Sequence, residues 1–189
     1  MRLLGPPLDA AERAAVFASA MALLGTPWRH MGRLGCGYGH QTGLDCVGAL
    51  IRLMRDAGRP VGDIDVYART SDGSVLLGEL DAWLGDRLPP AAVAPWQVVH
   101  IPMGRNYQHV GLTLPHGDQV YLWHAYNGTF PAGRVIWHRL DEAWRKRITA
   151  LFHHAGQVDR GGRGLGVIGP ERSFPHREQA AQDRRGFGQ

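Results

Sequence analysis

The sequence predicts an α+β fold, with helices first and an antiparallel sheet second. Two observations carry that expectation. Residues 9–24 and 46–57 space their apolar side chains as helices do, and from Trp96 onward the period changes to short β-branched and aromatic runs separated by turns. The chain has 189 residues, 44% hydrophobic and 20% charged, which suits one globular domain with a substantial core.

The first helix is expected from about Asp9 to Leu24. Asp9 followed by Glu12 reads as a capping box, and Gly25 as the stop. Its stretch AAVFASAMALL has the apolarity of a signal peptide, but Asp9, Glu12 and Arg13 precede it where such a signal carries only positive charge. The sequence is therefore read without a signal peptide, as a protein made in the cytoplasm. Six glycines from Gly25 to Gly43 make the next stretch a shaped loop. A second helix runs from about Cys46 to Ala57, with Val47, Leu50, Ile51 and Met54 at helical spacing and Gly58 and Pro60 at its end. Residues 61–73 read as irregular. Ser74 caps a short third helix, VLLGELDAWL, that stops at Gly85.

Five strands are expected in WQVVHI, YQHVGLTL, QVYLWHAY, RVIWHR and ITALFHH, with LDEAW as a short helical piece before the last. Residues 1–155 thus form the domain. Residues 156–189 form an extension with eight glycines and six arginines, flexible alone or ordered by partners.

The net charge of +4 favours an anionic surface weakly, and no zinc finger or interleaved aromatic–basic motif gives nucleic-acid specificity. No apolar run reaches the roughly 20 residues of a membrane span. Two cysteines are too few for a disulfide framework and allow one bridge, Cys36–Cys46, that the composition does not require. His30, Cys36, His40 and Cys46 are ligand types that suit zinc, but their spacing is irregular and lacks a short C-x-x-C knuckle, so no metal is expected.

The chemistry concentrates on Cys46. It stands at a helix start, where unpaired N–H groups and the helix dipole lower a thiol pKa, and Gly48 leaves the neighbouring backbone open. The competing role is that of a small buried hydrophobe. A hairpin turn centred on His116–Gly117 places His109 opposite His124 on one face of the sheet, supplying a base and an imidazole to orient it. A preceding turn about Gly104–Arg105 places His100 opposite His109 instead. The pattern alone leaves both partners open.

GTPWRHMGRLGCGYGHQTGLDCVGAL resembles the first motif of the NlpC-type cell-wall peptidases, papain-like cysteine enzymes with G-T-P-Y-x-x-G-G and then D-C-S-G at a helix start. QHVGLTL resembles their histidine strand, and YLWHAYNGTFPAGRVIWHRL the strand with their third polar residue. The resemblance covers about residues 15–153 and is strongest to the branch encoded with tail genes of phages and gene transfer agents. It implies a papain-like fold with Cys46 as nucleophile, His109 as base and His124 as the orienting residue. It implies no cofactor, peptidoglycan stem peptides as substrate, and tail-tip or baseplate proteins as partners, with action at a host cell wall or periplasm. A structural tail-tip protein that keeps the fold with little or no activity is the alternative. Asp45 matches an aspartate that holds the free amine of the stem peptide, or it caps the helix. Two substrate-side positions depart from the pattern: Trp28 stands in place of tyrosine and Val47 in place of serine.

Overall fold

A cap and a glycine frame the first helix of the computed structural model, which describes residues 8–35, 40–59, 61–63, 74–104, 107–128 and 132–153. Helix α1 spans Ala10–Ala22. Asp9 Oδ1 accepts from the Glu12 N–H at 2.8 Å and Glu12 Oε2 accepts from the Asp9 N–H at 2.9 Å, the expected reciprocal box. Helix α2 spans Cys46–Asp56 and buries Val47, Leu50, Ile51 and Met54, the apolar positions of the sequence pattern. Helix α3 spans Ser74–Leu84, with Ser74 as its first helical residue, and packs against the last strand. The expected extension and most of residues 61–73 lie outside the described residues.

Strands β1 (Gln97–Pro102), β2 (Gln108–His116), β3 (Gln119–Tyr126), β4 (Arg134–Arg139) and β5 (Ala150–His153) form one antiparallel sheet in the order β4-β3-β2-β1-β5. The short helix α4, Glu142–Arg145, separates β4 from β5, which lie at opposite edges of the sheet. The α+β fold with a five-stranded antiparallel sheet is thus as the sequence predicts.

The pleat sends alternate residues to two cores. Val98, Val110, Leu112, Leu114, Trp123, Ala125 and Phe152 share one cluster with Val16, Ala20 and the buried face of α2. There the indole of Trp123 donates to the Ala20 carbonyl at 2.9 Å, which keeps its polar atom satisfied under the helices. Val99, Ile101, Leu122 and Leu151 face the other way and pack with Leu140 and Ile148.

Two registers differ from expectation. The β2–β3 turn is one residue later, with His116 paired to Gln119 and Gly117 at φ +59° in the first turn position, where such a conformation suits glycine. Continuing that register sets His124 opposite Gly111, so His109 and His124 are diagonal neighbours rather than directly opposed. A two-residue offset preserves the face, so they still share one. Between β1 and β2 the offset is one residue: His100 pairs with Val110, not His109. That flips the side chain, and His100 belongs to the face opposite His109.

Candidate active site

The loop before α2 is built to deliver Cys46 to a fixed place. Leu44 bridges both Trp28 and Arg33, and its N–H bonds to the Pro27 carbonyl at 3.0 Å. Asp45 caps the helix: Oδ1 accepts the Gly48 N–H at 2.8 Å, and Oδ2 accepts the Met31 N–H at 2.7 Å. The same carboxylate meets Arg33 Nη1 at 3.1 Å, while Arg33 Nε meets Asp63 at 2.8 Å. Arg33 is fully buried and Asp45 is 2% exposed, so this pair is held by geometry rather than solvent. Gly48 is required by space. A Cβ there would stand 1.9 Å from the Gly32 carbonyl oxygen, so any side chain would push the loop off the helix start.

Cys46 is the first residue of α2 and is a free, half-buried cysteine. Its sulfur is faced by the backbone N–H groups of Val110, Val47 and Cys46 itself. The Val110 N–H is available for a topological reason. Thr149 bonds to the His100 carbonyl, so the bonds from β1 to β2 come from Val99 and Ile101, and Val110 turns its N–H toward β3. The β2–β3 pairing runs only from Leu112–Trp123 to His116–Gln119. The register pairing ends just before Val110, whose N–H faces the thiol.

Opposing influences act on that thiol. The three N–H groups favour the thiolate, but burial and then the nearby Asp45 charge disfavour it more strongly and push the pKa up to about 12. At neutral pH Cys46 is a thiol.

His109, 1% exposed, and His124, fully buried, meet through Nε2 and Nδ1 at 2.6 Å. His124 Nε2 continues to His138 Nε2 at 3.2 Å, and His138 Nδ1 to the Arg139 carbonyl at 2.9 Å. Tyr126 stacks on His124, and Trp144 of α4 meets it edge-on. Gly111 makes room for this chain, since a Cβ there would stand 3.2 Å from His124 Cβ and 2.7 Å from Leu122 Cδ1. Burial, and then the neighbouring His100, lowers His109 to about 3. Burial first, and then His109 and His138, holds His124 well below the usual imidazole range. Both rings are neutral at pH 7. Among the described residues no hydrogen bond joins Cys46 Sγ to His109, whose Nδ1 is the nitrogen that His124 does not use.

The structure therefore joins His109 to His124 and sets Cys46 against the residue next to His109. His100 is elsewhere, bonded through Nδ1 to Thr149 Oγ1 at 2.8 Å. Two of the three substrate-side positions are buried. Val47 is 2% exposed in the helix-side core, so an apolar residue there packs the fold and offers no side chain to a substrate. Asp45 is a buried cap whose two oxygens already hold donors, which leaves a substrate amine little access. Trp28 is half-buried and stacks near His30, with ring centroids 6.5 Å apart. Cys36, of the alternative bridge and zinc set, lies outside the described residues, and among those described no three metal-binding side chains converge.

Sequence reading missed His138 and Arg33. RVIWHR showed a strand, but the reach of His138 to His124 depends on the β3–β4 register, which pairs His138 with Leu122 on the His124 face. Arg33 looked like one loop cation among many.

No protein-family model matches the chain, and no curated protein matches it. Among solved structures it is similar to a lipoprotein-like protein of the NLP/P60 family from Staphylococcus aureus, at 14% identity and a TM-score of 0.47, over 80% of this chain and 44% of that one. It is also similar to an NlpC/P60 family protein from Bacillus cereus, at 12% identity and a TM-score of 0.48, over 81% of this chain and 43% of that one. The chain spans less than half the length of either structure.

Proposed function

We propose that the protein is a cysteine hydrolase that cleaves peptide bonds of peptidoglycan stem peptides. The observation that carries this reading is the His109–His124 contact at 2.6 Å on the strand whose next N–H faces the Cys46 sulfur. In the reaction, Cys46 Sγ attacks the scissile carbonyl carbon as His109 Nδ1 takes the thiol proton. The oxyanion develops beside the Cys46 N–H at the start of α2. The C–N bond then breaks, the departing amine takes the proton from His109, and a thioester remains. Water, deprotonated by His109, releases the acid. His124 orients His109 throughout.

Because both partners are neutral at rest, charge separates only as substrate arrives and shields the pair from competing water. The motifs quoted above extend the proposal to its setting: a tail-associated enzyme of a phage-like particle, opening the host wall during DNA delivery beside other tail-tip proteins.

The second reading, a tail-tip assembly protein with little activity, is favoured by one observation: the thiol is held protonated and lacks a hydrogen bond to His109 among the described residues. Particles assembled with Cys46→Ala separate the two. Normal assembly with lost infectivity supports the enzyme, and unchanged infectivity supports the scaffold.

A further inference from the structure

The hydrogen-bond chain on the far face of the sheet ends on a group that cannot donate. A carbonyl oxygen only accepts, so the His138 Nδ1 contact to the Arg139 carbonyl at 2.9 Å requires the proton on Nδ1. In a neutral ring His138 Nε2 is then an acceptor, and the 3.2 Å contact requires His124 to donate from its own Nε2. His124 Nδ1 is left as an acceptor, and the 2.6 Å contact requires His109 to donate from Nε2. His109 Nδ1 is left with a free lone pair. One backbone carbonyl, acting through three imidazoles, thus decides which nitrogen of His109 is basic.

We infer that His138 is a positioning residue which, anchored by the Arg139 carbonyl, fixes the tautomers of His124 and His109 so that His109 Nδ1 is the nitrogen that takes the Cys46 proton. In that step the S–H bond breaks, its electron pair stays on sulfur, and an N–H bond forms at His109 Nδ1. The resulting imidazolium keeps donating from Nε2 to His124, so no other proton has to move. Burial, which holds His109 and His124 neutral, agrees with the assignment.

The groups around His138 are His124 on β3, with Tyr126 stacked beyond it, Trp144 of α4 with Arg147 over its indole, and Arg139 on its own strand. Among the described residues no carboxylate forms an ion pair with His138. The half-buried His138 is the member of the chain nearest to solvent.

The role of His109 as base rests on the proposed hydrolase. The tautomer chain does not, and it can be read whether or not the protein cuts any peptide. The test uses the full 15N-labelled chain carrying Cys36→Ser, so that one thiol reports. Long-range 1H–15N spectra give the protonated nitrogen of each ring, and iodoacetamide gives the alkylation rate of Cys46. Expected are Nε2–H on His109 and His124 and Nδ1–H on His138. His138→Phe keeps a ring but removes the acceptor. It should mix the His124 tautomers and slow alkylation roughly ten-fold, about the worth of one hydrogen bond. His138→Gln, whose amide oxygen can accept, should restore both. A proton on His109 Nδ1 in the parent protein overturns the inference, and that spectrum decides even where a variant does not fold. Unchanged tautomers or unchanged alkylation in His138→Phe also overturn it. Failure to digest cell wall would sink the hydrolase and leave these spectra standing.

Discussion

Asp45 shows how one side chain does the work of a whole loop. Its carboxylate caps α2, holds the Met31 N–H and neutralises the buried Arg33. Removing it leaves a guanidinium in the interior with one partner fewer, which generally costs about 3–5 kcal/mol. Asp45→Ala should therefore lower the unfolding free energy from urea titration by that amount, and a change under about 1 kcal/mol would show that the pair matters little. The sequence made the cap legible, because an aspartate before a helix start has few other uses. It concealed Arg33, whose burial depends on a chain fold that brings residues 33, 45 and 63 together. Val47 taught the opposite lesson. Judged by motif it was a missing polar contact, but position 47 faces the core, where a serine hydroxyl would have needed a partner.

At the scale of elements, helices and strands were legible almost to the residue because apolar periodicity is local. Register was not. It depends on which residue takes the positive φ in a turn, and the one-residue difference at the β1–β2 hairpin decided that His100 faces away from His109. The β2–β3 hairpin carries the most exacting constraint, at Gly111. Gly111→Ala places a methyl against Leu122, the Trp123 carbonyl and His124 Cβ. Such overpacking costs about 1–3 kcal/mol, and here the strand with His124 is what has to move. Thermal unfolding should occur at lower temperature, and the His109–His124 bond should be lost from the imidazole 15N spectrum. Retention of both would mean that β3 shifts to accommodate the methyl without cost.

Across the whole molecule, burying neutral histidines makes stability depend on pH. Desolvation lowers His109 from 6.5 to about 3 in the folded state, so on acidification the unfolded chain takes up its proton first. Stability is complete above the unfolded value and declines as pH falls from 6.5 toward 3, and the lowered His124 contributes with the same sign. His109 alone should remove about 2 kcal/mol between pH 7 and pH 5. Urea midpoints measured at the two pH values check this, and equal midpoints would show that these rings are hydrated rather than sealed. Burial, and then the Asp45 charge, likewise keeps Cys46 a thiol at neutral pH. The central claim is that Cys46 and His109 together break peptide bonds of the cell wall. Digestion of purified sacculi by the parent protein, Cys46→Ala and His109→Ala tests it most directly. The account predicts soluble peptide fragments from the parent alone; equal release by all three, or none from the parent, would contradict it.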